Sequence, residues 1–169
     1  MNVILRALRL LSMVVWVGGL IFFAFVEAPT AFHVMGMTRE FAQLIGGSIG
    51  NLNRLGHACG FIFIFATLAA WLRAEARGRR LLVAELALVV LMILATMYVQ
   101  KSIIPAMERD RIAAGGDVDA AALDNPARLD FERLHSLSEK VEGAALLLGL
   151  GVVVLMAFEG GNTIAIRPA

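Results

Sequence analysis

The sequence predicts an all-α integral membrane protein that folds as a bundle of four spanning helices. Hydrophobic residues make up 59% of the 169 residues, and the mean hydropathy is +0.78, whereas soluble domains are about 45–50% apolar. The apolar residues form four long runs, each close to the ~20 residues that a helix needs to cross a bilayer. We therefore predict a single membrane domain over residues 1–169, surrounded by lipid.

The first span is predicted over residues 5–26. It carries Trp16 and Gly18, and the paired glycines at this point would let a neighbouring backbone approach closely. Basic residues before the apolar run also resemble a signal peptide, but the run is long, so we predict an uncleaved span. Glu27 follows at the membrane boundary, where a carboxylate is costly unless it has a partner.

A short amphipathic helix is predicted between the first and second spans, over residues 32–50. Its apolar residues recur at helical spacing, so we expect it to lie on the membrane surface or to fold back onto the bundle. Asn51 and Asn53 come directly after it, and asparagine is a favoured residue at the start of a helix. These side chains are therefore predicted to cap the next element.

The second span is predicted over residues 55–72. Gly56 and Gly60 lie one turn apart near its start, and small residues at this spacing allow two helices to pack closely. His57 lies beside this small-residue face, at the membrane boundary. The second span is therefore predicted to pack tightly and to place one imidazole at the edge of the bilayer.

The third span is predicted over residues 81–104, with Gln100 among the residues that mark its outer interface. Pro105 is predicted to kink this helix rather than to end it, because the helical pattern continues beyond the proline. An extramembrane region over residues 105–130 follows, and Asn125 is a candidate N-cap for the last helix. The fourth span is predicted over residues 139–158, so the third and fourth helices extend beyond the membrane.

Arginines are concentrated in the short connection over residues 73–80, which is typical of a cytoplasmic loop. We therefore predict that both termini are cytoplasmic, in a bacterial inner membrane. Glu85 lies about one turn inside the third span, where we expect it to pair with an arginine of this connection. The net charge is only +1, which gives no bulk attraction to nucleic acid.

The candidate site combines histidines and carboxylates near the outer membrane boundary. His57 and His135 form its predicted core, with Glu142, Glu27 and His33 in support. Imidazole and carboxylate groups suit zinc, copper or iron. Alternatively, His57 and His135 would hold the iron of a haem b from opposite faces.

The same residues also have a simpler interpretation, as interfacial polar side chains bonded to backbone carbonyls or to water. This interpretation is favoured for His33 and His57 taken singly, because histidine at a bilayer boundary is not costly. For His135 the metal- or haem-binding interpretation and the interfacial interpretation are evenly balanced, since Ser138 and Glu142 share its helix face. Ser138 would simply bond to the carbonyl one turn earlier, whereas Glu142 inside the span calls for a partner.

Four short motifs, spread from the first span to the fourth, resemble one protein family. They are Trp16-x-Gly18, Phe22-Phe23, Pro29-x-x-Phe32 and Phe131-x-x-Leu134-His135-x-x-Ser138. This pattern resembles the transmembrane-protein-205-like family, also catalogued as domain of unknown function 4149. The resemblance implies four spans and no established activity. In eukaryotic relatives an asparagine follows the serine by four positions, where this chain has Glu142.

A more distant similarity, through the tryptophan–glycine first span, is to copper-resistance D-type membrane proteins and to haem-containing protoporphyrinogen oxidases. That similarity implies a copper or haem site. The chain contains no motif for covalent haem attachment, for a phosphate-binding loop or for a zinc protease. Catalysis is therefore not favoured.

The sequence thus predicts a multi-pass membrane protein of unknown biochemical activity that carries a metal or haem near its outer face. Two alternatives stay open. In the first, the protein is a non-catalytic subunit that packs its glycine-rich helix faces against a membrane partner or a second copy. In the second, it is a small transporter or metal-resistance protein that uses the outer polar cluster as an entry site.

Overall fold

The computed structural model describes residues 2–36, 38–73 and 76–164, and it describes the side chains of all of these except 76–77 and 160–164. Within these ranges the regular secondary structure is entirely helical, which confirms the all-α prediction. Four of the helices are long and apolar enough to cross a membrane. The prediction of a four-span membrane protein is therefore confirmed by helix length and composition.

Helix α1 runs over Val3–Met35 and contains one wide turn. It begins at Asn2, whose side chain accepts a hydrogen bond from the Ile4 amide at 3.1 Å. A π-helical turn at Phe23–Glu27 precedes Pro29, which has no amide hydrogen to donate to the turn before it. The helix continues through this turn instead of breaking, and it ends at Gly36, whose φ of 63° favours glycine.

Helix α2 is a single element over Arg39–Trp71, and it corrects the prediction of a separate short helix over residues 32–50. Gly36 ends α1 and Thr38 caps α2 by accepting a hydrogen bond from the Phe41 amide at 3.1 Å. The predicted short helix is therefore divided between the end of α1 and the first turns of α2. The glycines of the predicted short helix do not interrupt α2, because packing against the bundle outweighs the weak helix propensity of glycine.

Helix α3 comprises Ala76–Tyr98, a π-helical turn at Val99–Ile103, and Ile104–Ala113. The chain stays helical past Pro105, as predicted, because the wide turn absorbs the missing amide hydrogen bond. The helix stops at Gly115 and Gly116, which have φ angles of 95° and 92°. These left-handed conformations explain the stop that two adjacent glycines provide.

Helix α4 runs without interruption over Pro126–Ile164. The Asn125 side chain accepts hydrogen bonds from the amides of Ala127 and Arg128, at 2.9 and 3.4 Å. Asn125 is therefore the N-cap of α4, as predicted. Proline in the first turn costs nothing, since an amide there has no partner within the helix.

Consecutive helices run antiparallel to one another, so that α2 and α4 run in the same direction. Trp16 of α1 lies against Gly56 and Gly60 of α2, where an added methyl at Gly60 would meet the Trp16 ring at 2.9 Å. The predicted close approach at these two glycines is confirmed. The buried core lies around this contact and consists of Met13, Trp16, Val17, Leu20, Cys59, Phe63, Val89, Met92, Ile93, Val152 and Met156.

We call the end of the bundle where α1 begins and α2 ends the N-terminal end. The opposite end, which carries the Gly36 turn and the loop before Asn125, is called the distal end.

Candidate functional site

One polar residue from each helix lies near the middle of the bundle. These residues are Trp16 of α1, Asn53 of α2, Gln100 of α3 and Glu142 of α4, and together we call them the four-helix polar layer. Trp16 and Asn53 are fully buried, whereas Gln100 and Glu142 are partly buried. The layer lies within segments that are apolar enough to span a membrane.

A direct hydrogen bond joins α2 to α4 in this layer. The Asn53 Nδ2 atom donates to Glu142 Oε1 at 2.7 Å. This contact fixes the orientation of the Asn53 amide, because a carboxylate oxygen needs a donor and only the nitrogen of the amide supplies one. The Asn53 oxygen is therefore left to accept from another donor.

Three consecutive turns of α2 set the depth of the layer. Gly50 faces Gln100, whose Nε2 atom would lie 3.7 Å from a methyl added at that glycine. One turn on is Asn53, and one turn further is Gly56, which faces the Trp16 Nε1 atom. Since each turn rises about 5.4 Å, the polar atoms of the layer lie within two turns of one another.

Four atoms of the layer are shielded from the surface and have no hydrogen-bond partner among the described residues. They are two donors, Trp16 Nε1 and Gln100 Nε2, and two acceptors, Asn53 Oδ1 and Glu142 Oε2. A buried polar group without a partner costs about 1–3 kcal/mol. The layer therefore offers complementary hydrogen-bonding capacity to a small polar species.

His57 and Thr96 continue the polar surface one turn toward the N-terminal end. Their His57 Nε2 and Thr96 Oγ1 atoms are 2.8 Å apart, and the Thr96 hydroxyl also lies 2.9 Å from the Met92 carbonyl oxygen. The single hydroxyl hydrogen goes to the carbonyl, so His57 Nε2 is the donor to Thr96. The His57 and Trp16 rings are nearly perpendicular, at 84°, with 6.5 Å between their centroids.

His135 and Ser138 lie outside the layer, although they share a helix face with Glu142. The His135 side chain is 53% exposed, stacks on Phe131 at 6.3 Å between centroids, and lies 3.4 Å from Glu139. Ser138 Oγ donates to the His135 carbonyl oxygen at 2.7 Å. Of the predicted cluster on α4, only Glu142 reaches the interior of the bundle.

The structure does not bring His57 and His135 together. Since α2 and α4 are parallel and Asn53 lies level with Glu142, His135 lies roughly 16 Å from the level of His57 along the bundle axis. Gly18, a further residue of the predicted motifs, is exposed on α1 and has no atom near a methyl placed on it.

His33 and Glu27 both lie in the distal part of α1. His33 is exposed in its last turns, and Glu27 is partly buried in the π-helical turn. Within the part of the chain that the structure describes, no three histidine, cysteine, aspartate or glutamate side chains converge so as to hold a metal ion.

A second polar centre, near the N-terminal end, joins Arg9 to Glu85 and Glu159. The Arg9 guanidinium forms a buried ion pair with Glu85 and lies 3.0 Å from Glu159, so it connects α1, α3 and α4. Its Cζ atom lies 5.4 Å from the centre of the Phe63 ring on α2. The partner of Glu85 is thus Arg9, and the prediction of an arginine from residues 73–80 was wrong. The sequence signal was an arginine inside an apolar run, where a charge requires a partner.

Comparison with known proteins gives a family and no activity. No curated protein and no solved structure matches the chain. The family described as a domain of unknown function (DUF4149) matches residues 11–111. This match covers more than half of the chain and includes Trp16, Asn53 and Gln100, but it ends before α4. The chain therefore belongs to the DUF4149 family.

Proposed function

We propose that this membrane protein binds a small polar solute inside its helix bundle, at the four-helix polar layer, as a carrier or binding protein. This proposal develops the transporter alternative that the sequence leaves open. The observation that carries it is the pair of shielded acceptors, Asn53 Oδ1 and Glu142 Oε2, that lack partners among the described residues.

Location within the spans strengthens the proposal. Lipid offers no hydrogen bonds, so polar groups at this depth need partners from the protein, from water or from a ligand. The layer supplies partners only for the Asn53 Nδ2 and Glu142 Oε1 atoms. A bound solute that donates to the two free acceptors would remove the cost of leaving them unpaired.

The atom types indicate the chemical class of the solute. Glu142 is the only carboxylate of the layer, and its unbonded oxygen and the Asn53 carbonyl oxygen are the two acceptors without partners among the described residues. A small cation with N–H donors, such as a primary ammonium or a guanidinium, would donate to the Glu142 oxygen and balance its charge. The Trp16 ring packs against Gly56, one turn along α2 from Asn53, and offers an apolar wall that also attracts cations.

A metal or haem site at His57 and His135 is the second candidate from the sequence. The separation of roughly 16 Å along the axis does not favour a single ion or haem iron between these two residues, and Thr96 occupies the Nε2 atom of His57. Purified protein with a haem absorption band or stoichiometric metal, lost in His57→Ala, would favour this candidate over the solute site.

A non-catalytic subunit is the third candidate. Gly18, Gly46, Gly47 and Gly143 have no neighbouring atoms where a methyl would be placed, so these glycines leave room on outward helix faces. Small residues of this kind permit close contact with another helix. These glycines form a surface on which a helix could pack, but they do not indicate which partner would bind there. The polar layer, in contrast, has a definite set of hydrogen-bond donors and acceptors.

The orientation in the membrane is proposed on charge alone. The arginines of residues 73–80 lie at the N-terminal end of the bundle, and dense positive charge in a short loop marks the cytoplasmic side. The distal end would then face outward across a bacterial inner membrane.

Calorimetric titration of the purified protein in lipid nanodiscs tests the solute site. The probes are methylammonium and guanidinium, with urea as a neutral molecule of similar shape. We expect saturable binding of at least one cation, weakened about tenfold or more in Glu142→Gln because a buried charged partner is lost. The matched control is Glu139→Gln, which removes an exposed carboxylate one turn away and should leave the affinity unchanged.

Two results would contradict the proposal. The first is that no cation binds to folded wild-type protein above the level of empty nanodiscs. The second is that Glu142→Gln and Glu139→Gln bind with equal affinity, since the cation would then interact with the surface of α4 and not with the polar layer.

A further inference from the structure

Asn53 and Glu142 use only one of the two hydrogen bonds that their side chains can form with each other. The Asn53 Nδ2 atom donates to Glu142 Oε1 at 2.7 Å. The second polar atom of each side chain, Asn53 Oδ1 and Glu142 Oε2, is shielded from the surface and has no hydrogen-bond partner among the described residues. Both atoms are acceptors as long as Glu142 is ionised, so no hydrogen is available to join them.

We propose that Glu142 binds a proton on Oε2 while the four-helix polar layer is empty, and that the resulting hydroxyl donates to Asn53 Oδ1. A protonated carboxyl group presents one donor and one acceptor, and a side-chain amide presents the same two kinds of group. Side by side, the two planar groups form a closed pair of hydrogen bonds, one of which the structure already contains. A single proton then gives a partner to both shielded acceptors.

The charge of Glu142 is not compensated within the polar layer. The other three members of the layer are neutral, and none of the ion pairs among the described residues includes Glu142. Helix α1 contributes no titratable residue between Arg9 and Glu27. An ionised carboxyl group that is taken out of water without a counter-charge is much more costly than the neutral acid. Protonation of Glu142 removes this cost.

The charged residues next to the layer along the other helices and along α4 itself lie at the surface. They are Arg54 on α2, Lys101 on α3, and Glu139 and Lys140 on α4, all of them exposed. The remaining titratable group near the layer is His57, one turn from Asn53 along α2, whose Nε2 atom donates to Thr96 at 2.8 Å. That contact engages the histidine with α3 and not with Glu142. A proton is therefore the counter-charge that the surroundings of Glu142 favour.

The proton couples the polar layer to an exchange reaction, and this step rests on the proposed function. When a guanidinium binds at Glu142, the carboxylic acid loses its O–H hydrogen to water, and the carboxylate that remains pairs with the cation. The hydrogen bond from Asn53 Nδ2 to Glu142 Oε1 is compatible with both states. One cation enters as one proton leaves, so the net charge of the layer does not change.

Infrared spectroscopy of the full chain in nanodiscs detects the proton on Glu142, since the C=O stretching band of a protonated carboxyl group lies apart from carboxylate and amide bands. In solute-free wild-type protein at neutral pH, we expect a component of this band that is lost in Glu142→Gln. The matched control, Glu139→Gln, removes an exposed carboxyl group one turn away and should keep this component. Circular dichroism confirms that each variant is folded.

Asn53→Leu tests the partner of the protonated group. Leucine has a similar volume and no donor, so the Glu142 C=O group loses its hydrogen bond and its band should move to higher frequency. Asn51→Leu is the control, because Asn51 is exposed and bonds to Arg54. Equal spectra for wild type and Glu142→Gln would overturn the proposal, because Glu142 would then be ionised. A band that Asn53→Leu leaves unchanged would also overturn it, because Asn53 would then not be the partner.

Proton release on binding tests the exchange. Calorimetric titration with guanidinium, in two buffers that differ in ionisation enthalpy, gives the number of protons released for each bound cation. Guanidinium stays charged at neutral pH and exchanges no proton of its own. We expect release of about one proton per bound cation in wild type and in Glu139→Gln. Guanidinium that binds without releasing a proton would overturn the exchange, since Glu142 would then already be ionised.

The two experiments separate the proton site from the solute site. A Glu142 band in protein that does not bind guanidinium would support the proton site and contradict the proposed function. Guanidinium binding in protein without a Glu142 band would support the solute site and overturn the proton on Glu142.

Discussion

At the scale of single residues, the feature that most needs explanation is a charged group buried in an apolar helix. Arg9 is fully buried, and its guanidinium is bonded to Glu85 and lies close to Glu159 and the Phe63 ring. Taking a charge out of water is costly, and the partners offset that cost only while all of them are present. The network therefore makes stability depend on each member.

Replacing Arg9 with methionine tests this dependence. The change leaves the Glu85 carboxylate buried without its cation, so we expect a loss of about 3–5 kcal/mol in the free energy of unfolding. Thermal unfolding in detergent micelles, followed by circular dichroism, measures the effect. Arg6→Met is the matched control, because Arg6 is exposed on the same helix and should change the stability little.

The double variant Arg9→Met/Glu85→Met distinguishes an ion pair from simple packing. An apolar pair of similar volume removes both buried charges, so it should recover part of the lost stability. If the double variant were less stable than Arg9→Met alone, packing of the Glu85 side chain and not its charge would account for the loss.

At the scale of helices, close approach depends on glycine. An added methyl at Gly56 would overlap the Trp16 indole, and one at Gly149 would lie 2.7 Å from the Val17 side chain. Both glycines therefore set the distance between helices. Glu27 and Gln100 lie in the wide turns Phe23–Glu27 and Val99–Ile103. Their side chains therefore point in directions that a regular α-helix would not give them.

Gly56→Ala tests the contact between α1 and α2. Alanine is the better helix former, but its methyl must displace the buried Trp16 ring, so we expect a net loss of about 1–3 kcal/mol. Gly47→Ala is the control, because nothing lies near a methyl at that position and the change should stabilise α2 slightly. The thermal midpoints of the two variants should shift in opposite directions. A midpoint for Gly56→Ala at or above wild type would contradict the close contact.

The helices could be predicted from the sequence because their signals are local. Apolar runs, glycines at the ends and a cap at Asn125 lie within a few residues of the feature that they determine. The prediction of a separate short helix over residues 32–50 was wrong because Gly36 and Thr38 set the boundary between α1 and α2, whereas the weak helix propensity of Gly46, Gly47 and Gly50 suggested a break further on.

The polar layer could be predicted only in part, since its members lie on four different helices. Glu142 was identified because a carboxylate inside a span requires a partner. Asn53 was interpreted as a cap and Gln100 as an interfacial residue, because the sequence does not reveal how far each helix is shifted along its neighbour. For the same reason Glu85 was assigned to an arginine of residues 73–80 and not to Arg9, which is 76 residues away.

At the scale of the whole molecule, the bundle has two polar centres separated by an apolar middle. The arginine network joins three helices near the N-terminal end, and the four-helix polar layer draws one residue from each helix, with a hydrogen bond between α2 and α4. Between them lies an apolar core that includes Met13, Cys59 and Met92. The charges of the first centre are paired within the protein, whereas Glu142 of the second has only the neutral Asn53 side chain as a described partner, so a ligand is expected at the second.

Tryptophan fluorescence tests the polar layer most directly, because Trp16 is one of its members. The chain has two tryptophans, so Trp71→Phe leaves Trp16 as the only one. In nanodiscs, titration with methylammonium or guanidinium should shift the Trp16 emission in a saturable way, and Glu142→Gln should abolish the shift. An emission spectrum that no cation changes, in protein that is folded by circular dichroism, would contradict a solute site in this layer.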